Sequence, residues 1–128
     1  MFTIDKDTLV IKGFKRDATD IVFNFGEDIS TYKFIFAVKE NIYDSDANAK
    51  IFKDITPNEG DTTVTVPFSS SDTEEIEIPE AKGFVKYFWT LLAYKADGSY
   101  QNTVLPLTDN IFPCFILREQ EIIPVTEE

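Results

Sequence analysis

A chain of 128 residues fits one domain (1–128), and folding at that length buries roughly two-thirds of the surface the unfolded chain exposes, so a core needs neither metal nor disulfide. With 43% hydrophobic residues and 12 Phe, the composition excludes wholesale disorder. A net charge of −11, from 12 basic and 23 acidic residues, favours solubility and repels phosphate backbones and anionic lipid, so nucleic acid and membranes are not expected partners.

Phe2 to Ile4 and Leu9 to Phe14 are short apolar runs parted by Asp5-Lys-Asp7, read as strand, turn, strand. Met1 leads into them without the basic start, apolar middle and small-residue cleavage site of a signal peptide. No apolar run approaches the roughly 20 residues of a membrane helix. The expectation is a soluble protein made in the cytoplasm.

Ile21, Phe23 and Phe25 alternate with Val22 and Asn24, and Gly26-Glu-Asp28 closes that segment. The cleanest alternation follows, with Tyr32, Phe34, Phe36 and Val38 on one side and Lys33, Ile35, Ala37 and Lys39 on the other. Asn41 to Asn48 reads as a polar loop before Ile51-Phe52 and Ile55, and Pro57-Asn-Glu-Gly60 as a turn. Thr62 to Phe68 alternates again, Ser69-Ser-Ser-Asp72 breaks it, and Glu75 to Ile78 alternates acid with isoleucine.

The stretch Phe84 to Tyr94 is apolar or aromatic at nine of eleven positions and reads as the central strand. Phe84, Phe88, Leu91 and Leu92 also satisfy helical spacing, but the aromatic content and the flanking Gly83 and Asp97-Gly98 favour a strand. Asp97-Gly98, suited to the centre of a type I′ turn, predicts a hairpin back through Ser99 to Leu107. Ile111 to Leu117 is the last run, before an acidic tail, 119–128, expected to be flexible. The spacing gives roughly eight to ten short strands with turn signals about every 8 to 12 residues, as in an all-β antiparallel sandwich or barrel.

The chemistry is mostly negative. The chain has no histidine, which removes Ser-His-Asp and Cys-His catalysis and histidine-held metal. Its five glycines make no phosphate loop, and the one cysteine, Cys114, can form no intrachain disulfide. With no basic neighbour nearer than Arg118, Cys114 reads as a buried, inert thiol. Asp44, Asp46 and Asn48 alternate like the start of a calcium loop, but Ala49 and Ile55 stand where glycine and a bidentate glutamate belong. A carboxylate pair for hydrolysis would need a cleft that acids placed mostly in turns do not suggest. The expectation is no enzyme, no catalytic residue, no cofactor and no metal.

Trp89 lies in phase with Val85, Tyr87, Leu91 and Ala93, and reads as core. The other phase, Phe84, Lys86, Phe88, Thr90, Leu92 and Tyr94, is too apolar for open water, so either another part of the chain covers it or it meets another subunit. Phe88, Leu92 and Tyr94 are therefore candidate interface residues. Tyr43, Tyr94 and Tyr100 are alternative platforms for a carbohydrate ligand.

The order Tyr32-Lys-Phe-Ile-Phe-Ala-Val-Lys39, polar loop, Ala49-Lys-Ile-Phe52, Thr/Val segment, Gly83-Phe84-Val-Lys-Tyr-Phe-Trp-Thr-Leu91, Asp97-Gly98, Asn102-Thr-Val104 and Phe115-Ile-Leu117 resembles small phage and prophage tail-associated proteins. It is similar to the immunoglobulin-like amino-terminal domain of siphophage baseplate upper proteins, over about residues 20 to 118. The resemblance implies an immunoglobulin-like sandwich without enzyme activity, contacting other virion proteins or itself, made in a bacterial host and carried into the virion. Residues 1–128 include no counterpart of that family's coiled coil and receptor-binding head, and the expectation under the resemblance is a standalone structural module.

Overall fold

The computed structural model describes residues 1–5, 7–41, 45–95, 97–98, 101–105 and 113–119. Those residues form nine strands, a 3-10 turn at Asp46–Asn48 and one α-helical turn: β1 (Thr3–Ile4), β2 (Ile11–Phe14), β3 (Thr19–Asn24), β4 (Lys33–Lys39), β5 (Ile51–Ile55), β6 (Thr63–Phe68), α1 (Ser70–Thr73), β7 (Phe84–Tyr94), β8 (Gln101–Leu105) and β9 (Cys114–Arg118). The fold is all-β. No helix among the described residues is long and apolar enough to cross a membrane.

The large sheet has seven strands, in the order β1-β2-β9-β7-β4-β5 with β8 also on β7, and β3 and β6 form a separate pair. Strand β7 is the spine. Its eleven residues give it room for β4 along one edge, from Phe88 to Tyr94, and for two partners in tandem along the other. There β9 takes Phe84 to Phe88 and β8 takes Leu91 to Tyr94.

One pair departs from the antiparallel expectation. Strand β2 runs parallel to β9, with Ile11 opposite Phe115 and Phe14 opposite Arg118, so the large sheet is mixed. The hairpin around Asp97-Gly98 forms, with Tyr94 paired to Gln101. Gly98 closes a turn by donating its N–H to the Lys95 carbonyl at 2.9 Å, with φ of 80°, so Asp97-Gly98 is not the centre of a two-residue turn.

Glu75 to Ile78 is not a strand. Ile76 is buried and Ile78 packs against the core, so their alternation records burial without a strand partner. Ser69 to Asp72, read as a break, opens α1, where the Asp72 carboxylate accepts the Ser69 N–H at 2.8 Å.

The core fills the space between the sheets. Odd positions of β7 point into it: Trp89 and Leu91 are fully buried, with Phe34, Phe36 and Val38 from β4, Val64 and Val66 from β6 and Phe115 and Leu117 from β9. Aromatic rings link the layers, since Trp89 lies 5.6 Å from both Phe23 and Phe36, and Phe68 lies 4.7 Å from Phe2 and 5.6 Å from Phe36.

Two close fits hold this packing in register. The Trp89 indole N–H donates to the Leu9 carbonyl at 2.9 Å, and Leu9 turns its backbone to φ of 60° there. A left-handed leucine costs about 1 to 2 kcal/mol, which the satisfied buried indole helps offset. Gly13 lies under Phe2, whose ring atom Cδ1 would stand 2.1 Å from any Cβ at that position.

The one buried polar side chain among the described residues is Thr73 of α1, whose Oγ1 accepts the Arg16 N–H at 2.8 Å. Lys53, on the inward phase of β5, ion-pairs Asp72 at 2.8 Å. These two bonds seat α1 on the same side of the large sheet as the β3-β6 pair.

Candidate interaction face

The sheet register places the side chains of the opposite face. Residues directly opposite in a ladder share a side. Phe88 lies between Lys39 and Cys114, Thr90 beside Ala37, Leu92 beside Ile35, and Tyr94 beside Lys33. Beyond β4, Ala37 leads to Phe52 and Ile35 to Asp54. On the other flank Lys86 is beside Ile116, Phe84 beside Arg118, and Lys12 beside Ile116.

All three candidate interface residues therefore share one surface. Phe88, Leu92 and Tyr94 are half-buried by their neighbours, while Phe52 and Phe84 keep 44% and 38% exposure, well above ordinary burial for Phe. Cys114, expected to be buried, sits on it half-buried beside Phe88.

The same register collects charge. Among the described outward positions of the large sheet, β8 aside, stand Lys12, Lys33, Lys39, Lys86 and Arg118, against Asp54 as the sole acid. Counting described positions alone, a chain of net charge −11 thus gathers five of its 12 basic residues and a single acid on one apolar surface. Lys33, Lys39 and Lys86 were visible on that phase in the sequence. Lys12 and Arg118 were not, because Lys12 comes alongside only through the parallel β2-β9 pairing and Arg118 through the β9-β7 ladder, opposite Phe84.

Tyr94 reaches over β4 to place its hydroxyl 3.2 Å from each Asp54 oxygen, a long shared hydrogen bond. Burial, then the Asp54 charge, raises the phenol above the ordinary tyrosine range, so it stays a neutral donor at pH 7. Of the three tyrosines considered as sugar platforms, Tyr94 alone is described, and its hydroxyl is engaged. Tyr43 and Tyr100 lie outside the described residues, as does Asp44 of the calcium-like loop.

A second concavity, an open groove of about 740 Å³, lies at the other end of β7 between Lys50, Tyr87 and the acids after α1. Lys50 sets its ammonium 5.9 Å from the Tyr87 ring centre. Burial, and secondarily the Glu40 charge, raises the Tyr87 phenol, which makes it a hydrogen-bond donor and a poor base. Asp72 is committed to Lys53 and to the Ser69 N–H, and Glu74, Glu75 and Glu77 are exposed.

The carboxylates with displaced proton affinity, Asp5 and Asp28, both move down. Asp5 does so because it accepts backbone N–H groups of Thr8 and Asp7, and Asp28 because it accepts the Ser30 hydroxyl and N–H. A general acid needs the opposite shift. No group of three or more potential metal ligands occurs among the described residues.

No protein-family model, curated protein or solved structure matches this chain.

Proposed function

We propose that this chain is a non-enzymatic assembly protein of a phage or prophage virion, tail or baseplate associated, that docks another virion protein on the outward face of its large sheet. The observation that carries the docking role is the joint presence of Phe52, Phe84, Phe88, Leu92 and Ile116 with five cations and one acid on that face of an acidic molecule. Apolar area supplies affinity, and the cations select a partner surface bearing carboxylates.

The charge also argues about who the partner is. Two copies meeting through this face would set cation against cation, so a different, acidic protein surface fits better than a second copy. The long-range field of the whole molecule remains repulsive to nucleic acid.

Strand order supports the immunoglobulin-like reading. The run β9-β7-β4-β5 facing β3-β6 follows the arrangement G-F-C-C′ over B-E of variable-type domains. The molecule departs from antibody domains in lacking their disulfide and in carrying its tryptophan on β7 instead of β4. Fold analogy does not assign a role, and the virion setting rests on the order of sequence features shared with tail-associated proteins.

The test is direct binding, by calorimetry, of the full chain to the structural proteins encoded beside it, repeated with Phe88→Ser/Leu92→Ser and with Lys39→Glu/Lys86→Glu. The reading expects one such protein to bind wild type and both double variants to weaken it at least about tenfold. Equal binding by wild type and variants, or a gene neighbourhood without virion proteins, overturns it.

A further inference from the structure

Among the described residues strand β3 pairs on one edge only, with β6. The ladder fixes which groups face the open edge. Phe25 continues it by donating its N–H to the Thr62 carbonyl at 2.9 Å, so Phe25 and every second residue before it, Phe23, Ile21 and Thr19, turn their backbone polar groups toward β6. Asp20, Val22 and Asn24 turn theirs away. Their side chains are exposed, and Val22 keeps 55% of its surface in solvent.

Natural edges are blunted with proline, lysine or bulges. By the same parity Pro67 of β6 stands with its missing donor toward that strand's open edge. Strand β3, Thr-Asp-Ile-Val-Phe-Asn, has no such device beyond the Asp20 charge.

We infer that this edge pairs with the same edge of a second copy, β3 against β3 antiparallel about a two-fold axis at Val22. The register is self-complementary. Centred on Val22, it sets Val22 opposite Val22 and Asp20 opposite Asn24 of the other copy, so each outward-facing residue meets another and three pairs exchange backbone hydrogen bonds. Asn24 Oδ1 already accepts the Gly26 N–H at 2.9 Å, which leaves the Asn24 amide hydrogens for the facing Asp20 carboxylate.

Sliding the register by two residues either way loses one of these pairs, and a slide that centres on Asp20 faces carboxylate to carboxylate. The joined sheet β6-β3-β3-β6 carries a row Thr65, Val22, Val22, Thr65 of β-branched side chains across its outer surface. The interface is small and the two molecules share a charge of −11, so the dimer is weak and tightens with salt. This contact is separate from the docking face on the other sheet.

Sedimentation equilibrium of the full chain over a wide concentration range, at low and high salt, tests it. Wild type should move from 14.6 kDa toward twice that mass, at lower concentration when salt is added. Val22→Pro removes only an outward N–H and should remain monomeric with an unchanged melting curve. Asn24→Asp, which faces two acids across both outer pairs, should weaken the dimer about tenfold, and Asp20→Asn/Asn24→Asp should restore it. Phe88→Ser/Leu92→Ser should leave dimerisation unchanged. A wild type that stays monomeric throughout, a Val22→Pro variant that dimerises like wild type, or a double swap that fails to rescue Asn24→Asp overturns the inference. Should Val22→Pro melt early, the Asn24→Asp and double-swap pair decides alone.

Discussion

The two faces of β7 both carry apolar side chains, but in different surroundings. Toward the small sheet stand Tyr87, Trp89, Leu91 and Ala93, buried and without a charged residue in the row. Away from it stand Phe84, Lys86, Phe88, Thr90, Leu92 and Tyr94, half-buried or exposed, with cations from this and the neighbouring strands between them. Folding needs the first face dry, because each buried large side chain contributes about 1.5 to 3 kcal/mol. Among the described residues the second face stays half-buried or exposed, and the proposed docking role gives its apolar side chains a use outside the chain.

The largest expected effect is on the inner face. Trp89→Ala empties a fully buried site between Phe23 and Phe36 and strands the Leu9 carbonyl, and should lower the unfolding free energy by about 3 to 5 kcal/mol in urea titrations. Trp89→Phe, which keeps a ring but loses the indole N–H, should cost less than half of that. A cost under about 1 kcal/mol for Trp89→Ala would erase the distinction between the faces.

Gly13→Ala should come next, at about 2 kcal/mol, because the new methyl meets Phe2 and drives its ring off Phe68 and Phe115. Phe2→Ala and Gly13→Ala should then be strongly non-additive in a double-mutant cycle. Additive costs would mean that the Phe2 ring does not rest on Gly13.

The smallest effect is on pH. Tyr87 and Tyr94, one on each face, are held above the ordinary tyrosine value, and each favours the folded state while protonated. That contribution is fully present below about pH 10 and is lost as pH rises through the folded values. Denaturant midpoints should therefore stay level to about pH 10 and fall above it, less steeply in Tyr94→Phe. A Tyr94→Phe profile identical to wild type would leave Tyr94 outside that loss.

Much of this comparison was legible in the chain. The bounds Phe84 to Tyr94 and the inward phase of β4, β6 and β7 follow from alternation, since side chains two apart must share a face. Alternation assigns faces and leaves neighbours open. The parallel pairing of β2 with β9 joins residues about a hundred positions apart, and the β9-β7 ladder sets Arg118 opposite Phe84, so neither Lys12 nor Arg118 could be added to the outer face from local pattern. Local chemistry misled at one point and fell short at another. Glu75 to Ile78 shows strand alternation while Ile76 drops into the core from an irregular segment, and Ser69-Ser-Ser-Asp72 does end β6 but also starts a capped helical turn that the break alone did not announce. The open edge of β3 was equally hidden, because which backbone groups point outward depends on the partner's register.

The central claim is that the outward face belongs to a partner and not to the fold, and Phe88→Ser/Leu92→Ser tests it most directly when stability and partner affinity are measured on the same sample. The account predicts a folded variant within about 1 kcal/mol of wild type whose affinity for its virion partner drops at least about tenfold. A variant that unfolds as readily as Trp89→Ala, or one that binds undiminished, would contradict it.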